Sequence, residues 1–300
     1  MSTETVDPRF VDLDRWPSEH AVEAMLEGQL AAVAAIHGQV RAIADAADAA
    51  GDRLRHGGRL VYVGAGTSGR IAVQDGVELF PTYNWPQERL VFLMAGGLDA
   101  LTKSAERAED DADGARARIA ATAVGAEDVV IGVAASGRTP FTIAAIDAAR
   151  SVGALTIGIS NNADTPLLSA AEHAIAIVTG SEIVAGSTRM KAGTAQKAVL
   201  NMLSTTTMLR CGLVYRGMMV NMRVSNDKLL QRGQAMIRDI AGVSDEDAGA
   251  ALERAGLEIK PGVLIAMGAH RDQAEHLLRD AHGDLHVAVA ALLGRQAAHA

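Results

Sequence analysis

The order of structural elements in this chain is read most directly from the stretch Arg59-Leu60-Val61-Tyr62-Val63-Gly64-Ala65-Gly66-Thr67-Ser68-Gly69-Arg70. Its first part, Leu60–Val63, is a short apolar run rich in valine, which is typical of a strand that is covered on both faces. Its second part combines glycines with two hydroxyl side chains, which favours a tight turn into a helix. The stretch therefore predicts a buried strand, a polar loop and a helix, in that order.

The same alternation continues along the chain. Further strand-length apolar runs occur at Leu90–Met94, Val129–Val133, Leu155–Ile159 and Ala174–Val178. Helical patterns occupy the intervals at Ile71–Leu79, Gly114–Ala123 and Phe141–Val152. This succession predicts an α/β fold with a doubly wound, mostly parallel sheet flanked by helices.

Helical segments precede and follow the predicted sheet. Apolar residues recur at helical spacing between a predicted N-cap at Ser18 and a stop at Gly57-Gly58, after an irregular arm, and they are Leu26, Leu30, Val33, Ile36 and Val40. A long apolar helix is expected at Ala195–Leu213. Short helices are expected at Lys228–Ala241, Asp245–Ala255 after a Ser244 cap, and Asp272–Ala281, while Ile259–Met267 fits a strand or a helix. We therefore expect an N-terminal helical arm at 1–56, a central domain at 57–221 and a small helical C-terminal domain at 222–300.

The composition excludes several classes of protein. The 300 residues include 28 Lys+Arg and 36 Asp+Glu, which gives a net charge of −8, and only 3% are aromatic, so a nucleic-acid partner is not expected. The single cysteine, Cys211, excludes a disulfide scaffold within the chain, and the nine histidines show no metal-binding spacing, so no metal or cofactor is expected. The N-terminus has no apolar leader and no segment is apolar enough to span a bilayer, so we expect a cytoplasmic protein with no membrane partner.

Two loops have the composition of a phosphate site. In an open α/β sheet, ligands bind where strands end and helices begin, because the helix N-terminus carries free N–H groups and partial positive charge. The loop after the first strand supplies Gly66, Thr67 and Ser68. The loop after Val129–Val133 supplies Ser136, Gly137, Arg138 and Thr139. These loops predict a site for a phosphate monoester, although the glycines alone would also fit plain strand-to-helix turns.

A dinucleotide site is less favoured than a phosphate site. Gly64, Gly66 and Gly69 do have the G-x-G-x-x-G spacing, but no acidic residue ends the next strand at Leu90–Met94 to bind a ribose hydroxyl.

A third polar cluster, residues 186–194, leads into the long apolar helix. Ser187 and Thr188 are candidates for contact with a substrate, and Lys191 or Arg189 could supply a counter-charge to an anion. The alternative is that these residues only cap the helix and face solvent.

Two glutamates are candidates for acid–base chemistry. Glu78 lies late in the helix that begins at the first loop, where apolar neighbours would favour its protonated form. Glu109 begins the acidic run Glu109-Asp110-Asp111. The alternatives are a solvated helical glutamate at 78 and a charge-stabilised helix N-terminus at 109–111.

Several motifs, taken together and in order, resemble those of the N-acetylmuramic acid 6-phosphate etherases, in the sugar isomerase (SIS) superfamily. The matching segments are residues 58–70, quoted above from Arg59, then Ala105-Glu106-Arg107-Ala108-Glu109-Asp110-Asp111, Ala134-Ala135-Ser136-Gly137-Arg138-Thr139-Pro140, Gly186-Ser187-Thr188-Arg189-Met190-Lys191-Ala192-Gly193-Thr194-Ala195-Gln196-Lys197 and Leu200-Asn201-Met202-Leu203-Ser204-Thr205. The likeness extends along nearly the whole chain.

The resemblance implies an SIS-type fold that binds a sugar 6-phosphate without metal or cofactor. It implies cleavage of the lactyl ether at C3, with release of N-acetylglucosamine 6-phosphate and D-lactate. The two catalytic glutamates of that family fall on Glu78 and Glu109, and the family forms dimers. One departure lies beside the first of them, since Val77 and Leu79 stand where the family usually has a serine and a cysteine.

Two other functions remain open from the sequence. The superfamily includes a regulatory protein that binds sugar phosphates without turning them over, and it includes sugar-phosphate isomerases on the same fold. Both glutamates are present, which favours the lyase over a pure binder.

Overall fold

The structure is a computed structural model, and it describes residues 2–103, 105 and 107–299. Glu106, which belongs to one of the motifs above, lies outside the described residues. The chain divides into two compact units, residues 1–77 with 87–207 and residues 78–86 with 208–300. The predicted arm at 1–56 is thus grouped with the sheet, and the C-terminal helices form a unit together with the short segment at 78–86.

The first unit contains a five-stranded sheet in its described residues. Its strands are β1 Leu60–Gly64, β2 Leu90–Met94, β3 Val129–Ala134, β4 Leu155–Ser160 and β5 His173–Ala176. Every pairing is parallel, and the strand order is β2-β1-β3-β4-β5. The predicted α/β fold with its parallel, doubly wound sheet is confirmed.

The strand order reverses direction beside β1. The chain passes from β1 to β2 on one side and then crosses to β3 on the other, so β1 and β3 are neighbours whose following loops leave the same edge of the sheet. Such a switch point is where open α/β sheets bind ligands, because the two loops diverge to opposite faces and leave a crevice.

The helices of the first unit are α1 Ser18–Ala34, α2 Val40–Arg55, α3 Gly66–Val77, α5 Ala112–Ala121, α6 Pro140–Ser151, α7 Pro166–Ala170 and α8 Lys191–Arg210, which ends in the second unit. Of these, α2, α3, α6 and α7 pack directly on the sheet. Side chains alternate along β1, so Val61 and Val63 pack into a core with Phe141 and Ile146 of α6, while Tyr62 points to the other face.

The second unit consists of helices in its described residues. They are α4 Leu79–Tyr83, α9 Asp227–Ala241, α10 Asp245–Arg254, α11 Ile259–Ala266, α12 Arg271–Asp280 and α13 Leu285–His299. Their core includes Ile237, Leu252 and Val263, which are fully buried. Ser244 accepts a hydrogen bond from the backbone N–H of Asp247 at 3.1 Å and so caps α10 as predicted. The ambiguous segment from Ile259 is a helix.

Three local predictions differ from the structure. The long helix predicted at Ala195–Leu213 begins at Lys191, inside the third polar cluster, and ends at Arg210. The helix predicted at Ile71–Leu79 begins already at Gly66, inside the polar loop, and ends at Val77, before the short helix α4. Pro17, and not Ser18, is the N-cap of α1, and no side chain caps that helix. The fixed φ of a proline before the first turn prepares the chain for a helix without a capping side chain.

The helical stripe predicted in the N-terminal arm is only partly buried. Ile36 is buried, but Leu26 and Leu30 on α1 are 58% and 63% exposed. Among the described residues, no helix combines the length and apolar character needed to cross a membrane.

Candidate active site

The first polar loop forms one wall of a cavity at the switch point. Helix α3 begins at Gly66, so Thr67 and Ser68 belong to its first turn, where backbone N–H groups have no partner within the helix. The N-terminus of this helix therefore presents hydrogen-bond donors and partial positive charge immediately after β1.

The second polar loop forms the facing wall. The backbone N–H of Arg138 donates to Ser136 Oγ at 3.1 Å, which fixes the start of the turn. Gly137 has a φ of +63°, and a Cβ there would lie 2.3 Å from Thr165 Oγ1, so only glycine fits. Thr139 is the N-cap of α6, but its side chain makes no capping bond.

The two loops share a cavity of about 270 Å³. Its lining consists of Glu4, Ala65, Gly66, Thr67, Ser68, Glu109, Ala134, Ala135, Ser136, Thr139 and Thr188. Five of these residues carry hydroxyl groups, and two carry carboxylates. The structure thus brings together most of the predicted phosphate-binding residues, with backbone amides and hydroxyls on both walls.

The third polar cluster contributes unequally to this cavity. Within this cluster, Thr188 lines the cavity, whereas Ser187 and Lys191 do not. Two residues of the second loop, Gly137 and Arg138, also lie outside the lining. Lys191 is held by the backbone instead, because its Nζ donates to the Ser181 carbonyl at 2.9 Å. The Lys191 side chain is therefore engaged with the backbone, and its contact with an anion stays a prediction.

Glu109 reaches the cavity from the segment after β2. It lies in a short 3₁₀ turn, Ala108–Asp110, and it also lines an adjoining cavity of about 310 Å³ together with Arg70 and Arg107. Arg70 donates to the carbonyls of residues 100, 101 and 103, which holds the segment that leads to Glu109. Asp111, in contrast, is the N-cap of α5 and accepts from the Gly114 N–H at 2.9 Å.

Glu78 belongs to the second unit, where it precedes α4 as the N-cap residue. Its side chain is exposed, so the expected enclosure among apolar neighbours is wrong for the described chain. The reason is that α3 ends at Val77, so Glu78 lies between α3 and α4, whereas the next residue, Leu79, is buried.

A buried carboxyl on α3 was not among the predicted site residues. Asp75 is 2% exposed and accepts hydrogen bonds from Asn201 Nδ2 at 2.6 Å, Tyr62 Oη at 3.1 Å and Ser204 Oγ at 3.2 Å. Burial raises the pKa of Asp75 from its usual range, and the three donors offset part of that rise. The motif at residues 200–205 thus supplies two of the partners that fasten α8 to α3.

The N-terminal arm also reaches the cavity, which no pattern in the sequence indicates. Glu4 is part of the lining, and Thr3 beside it is fully buried. No periodicity or capping pattern in the first residues distinguishes these two positions. Among the described residues, no group of three or more His, Cys, Asp and Glu side chains is arranged to hold a metal ion.

Comparison with known proteins places this chain in a family. Residues 39–150 match the model of the glucokinase regulatory protein N-terminal SIS domain, and residues 110–206 match the model of the SIS domain. An N-acetylmuramic acid 6-phosphate etherase of Streptomyces coelicolor is 44% identical over 98% of this chain and 95% of its own length. One from Deinococcus radiodurans is 43% identical over 94% and 92%. The chain belongs to the N-acetylmuramic acid 6-phosphate etherase family.

Membership of this etherase family confirms the resemblance drawn from the motifs. A solved phosphoheptose isomerase of Francisella tularensis is also similar, with a TM-score of 0.47, 18% identity and coverage of 65% of this chain and 98% of that one. The assignment to the etherase family depends on the near-full-length relatives, since their identity extends across both units.

Proposed function

We propose that this protein is a carbon–oxygen lyase that cleaves the D-lactyl ether of N-acetylmuramic acid 6-phosphate. The products are N-acetylglucosamine 6-phosphate and D-lactate, and the reaction serves recycling of cell-wall amino sugars in the cytoplasm. The observation that carries the proposal is sequence identity of 43–44% over nearly the whole chain to proteins named N-acetylmuramic acid 6-phosphate etherase. The polar cavity at the switch point supports it.

The phosphate of the substrate binds between the two loops. The N-terminus of α3 and the hydroxyls of Thr67, Ser68, Ser136 and Thr139 supply donors on both sides of the cavity. Anchoring the phosphate fixes the sugar ring relative to catalytic carboxyls, which lowers the entropic cost of reaching the transition state.

The reaction is an elimination followed by addition of water. In the open-chain sugar the C3–O bond is β to the aldehyde, so removal of the C2 proton gives an enolate-like species that expels the C3 oxygen. Glu109 takes the C2 proton in the elimination and returns a proton to C2 when water adds. Glu78 protonates the departing lactate oxygen and then activates the water that adds at C3.

The variants Glu78→Gln and Glu109→Gln test these roles. Each is expected to lose D-lactate release by about a hundredfold or more, the usual size of acid–base contributions, while binding of N-acetylglucosamine 6-phosphate is retained. Glu127→Gln, at an exposed position, is the matched control. Full activity in either catalytic variant would contradict the role given to that residue.

A regulator that binds sugar phosphates is the second candidate, because the glucokinase regulatory protein domain model matches residues 39–150. For a regulator, we expect the sugar phosphate to stabilise the protein against heat and no lactate to be released. A ketose phosphate as product would instead indicate an isomerase.

We also propose that the protein is a homodimer. Helix α1 carries exposed apolar residues on one face, at Val22, Leu26, Leu30 and Val33, and such a continuous apolar surface is typical of an interface.

A further inference from the structure

The N-terminal arm brings a second carboxylate into the cavity between the loops. Residues Ser2–Glu4 form a short 3₁₀ helix, and Glu4 lines the same cavity as Thr67, Ser136 and Glu109. The mechanism above gives this side chain no role, so its presence beside a phosphate site requires a separate explanation.

The arm is fixed at this position by Thr3. The Thr3 side chain is fully buried, and its Oγ1 accepts a hydrogen bond from Asn162 Nδ2 at 3.1 Å. The same Nδ2 donates to the carbonyl of Ala135, in the second loop, at 2.9 Å. The Thr3 carbonyl accepts from the Gly186 N–H at 3.1 Å. Thr3 is therefore tied to the second loop and to the third polar cluster, and Glu4 follows it directly.

The chain leaves room for the Glu4 carboxylate. Gly186 has a φ of +75°, and a Cβ at that residue would lie 2.9 Å from Glu4 Oε2. That separation is closer than ordinary van der Waals contact, so a larger residue would displace the carboxylate.

The charges in the cavity decide what Glu4 can bind. The phosphate dianion is attracted to the N–H and hydroxyl donors of the two loops and repelled by the carboxylates. An ionised carboxylate has only acceptor atoms, so it can bind only a group that donates a hydrogen bond. Apart from its phosphate, an amino-sugar phosphate offers such donors in its hydroxyl groups and its amide N–H.

We propose that Glu4 is a substrate-binding residue that accepts a hydrogen bond from a hydroxyl or amide N–H of the sugar, and that Thr3 is its positioning residue. This inference rests on the proposed function in that the ligand is an amino-sugar phosphate. The carboxylate favours the sugar phosphate over free phosphate, because the sugar brings uncharged hydroxyl and amide donors to it, whereas the donors of inorganic phosphate are carried by the anion that it repels.

The variant Glu4→Gln separates recognition of the sugar from recognition of the phosphate. Calorimetric titration should show that its affinity for N-acetylglucosamine 6-phosphate falls about tenfold or more, as expected for the loss of a charge-assisted hydrogen bond. Its affinity for inorganic phosphate should stay the same or rise, since a repelling charge is removed. Glu23→Gln, an exposed glutamate on α1, is the matched control and should change neither affinity.

Three results would overturn the proposal. If both affinities fall, the arm has only a structural role. If both rise, Glu4 acts only as a repelling charge, and if neither changes, Glu4 does not touch the ligand. Because these titrations require no turnover, they are independent of lactate release, and an enzyme that binds but releases no lactate would contradict the proposed function alone.

A double-mutant cycle tests the role of Thr3. Thr3→Val removes the hydroxyl to which Asn162 donates. This variant should bind the sugar phosphate more weakly and inorganic phosphate equally well. Thr3→Ser keeps a hydroxyl and should bind the sugar phosphate as the wild type does. In the Glu4→Gln background Thr3→Val should add little, because both changes remove the same contact. Fully additive losses would show that Thr3 does not act through Glu4.

Discussion

Gly137 is the residue at which the second loop tolerates least change. Its φ of +63° lies in the region that favours glycine, and its missing Cβ makes room for Thr165 Oγ1, which would otherwise be 2.3 Å away. The loop geometry that presents Ser136 and Thr139 to the cavity therefore depends on one hydrogen atom in place of a side chain.

Gly137→Ala should lower the free energy of unfolding by about 1–3 kcal/mol, because it adds backbone strain and a steric overlap. It should also weaken sugar-phosphate binding. Gly125→Ala is the control, since a Cβ there meets nothing within 4 Å. Urea denaturation of both variants checks the difference. Equal stability of the two would contradict this view of the loop.

The residues that line the cavity were predictable in part. Thr67, Ser68, Ser136 and Thr139 follow strand ends, where local sequence alone indicates a helix N-terminus. Thr3 and Glu4 were not predictable, because their contacts to Asn162 and Gly186 join positions more than 150 residues apart in the chain. The exposure of Glu78 was missed because it depends on where α3 ends.

At the scale of elements, Asp75 connects three segments that approach the site. It lies on α3, and its hydrogen-bond donors come from β1 and α8, so the helix that begins at the first loop is fastened to the helix that follows the third polar cluster. Burial of the carboxyl disfavours its charged form, which makes this connection sensitive to pH.

The stability that Asp75 contributes should fall as pH rises. Because burial raises its folded-state pKa above the usual 3.8, the folded state binds more protons than the unfolded state between 3.8 and the raised value. Folding is therefore favoured at the acidic end of that window and loses stability as the carboxyl ionises.

The difference in unfolding free energy between wild type and Asp75→Asn should consequently decrease as pH rises above about 4 and then become constant. Urea denaturation across a pH series measures it. Asp147→Asn, at an exposed helical position on α6, is the control. If the difference between wild type and Asp75→Asn does not change with pH, the Asp75 carboxyl titrates alike in the folded and unfolded states.

Strands were predicted more accurately than helix ends. The five apolar runs are strands within about two residues at each end, because a strand covered on both faces leaves a continuous apolar signal. Helix ends depend on single contacts. Helix α3 starts at Gly66, within residues that were predicted as a loop. It ends at Val77 instead of continuing to the predicted Leu79, where a second short helix begins.

At the scale of the whole molecule, the exposed face of α1 indicates association. Val22, Leu26, Leu30 and Val33 are spaced so that they lie on one side of the helix, and each is about half exposed or more in the single chain. The sequence predicted the helical spacing correctly. It could not tell that this face is not covered by the chain's own sheet.

The double variant Leu26→Asp/Leu30→Asp should be a monomer, because two carboxylates would be buried without partners in the proposed interface. Light scattering after gel filtration should give the chain mass of 31.2 kDa for this variant and twice that mass for wild type. Val152→Asp, an exposed position on another surface, should leave the dimer intact. A wild-type monomer, or a variant that remains dimeric, would contradict the proposal.

The proposed reaction is cleavage of the lactyl ether by elimination followed by addition of water. The most direct measurement is incubation with N-acetylmuramic acid 6-phosphate in ¹⁸O-water, followed by mass spectrometry of both products. We predict equal amounts of D-lactate and N-acetylglucosamine 6-phosphate, with ¹⁸O at C3 of the sugar and the original ether oxygen retained in lactate. Absence of lactate, or ¹⁸O in the C2 hydroxyl of lactate, would contradict the account.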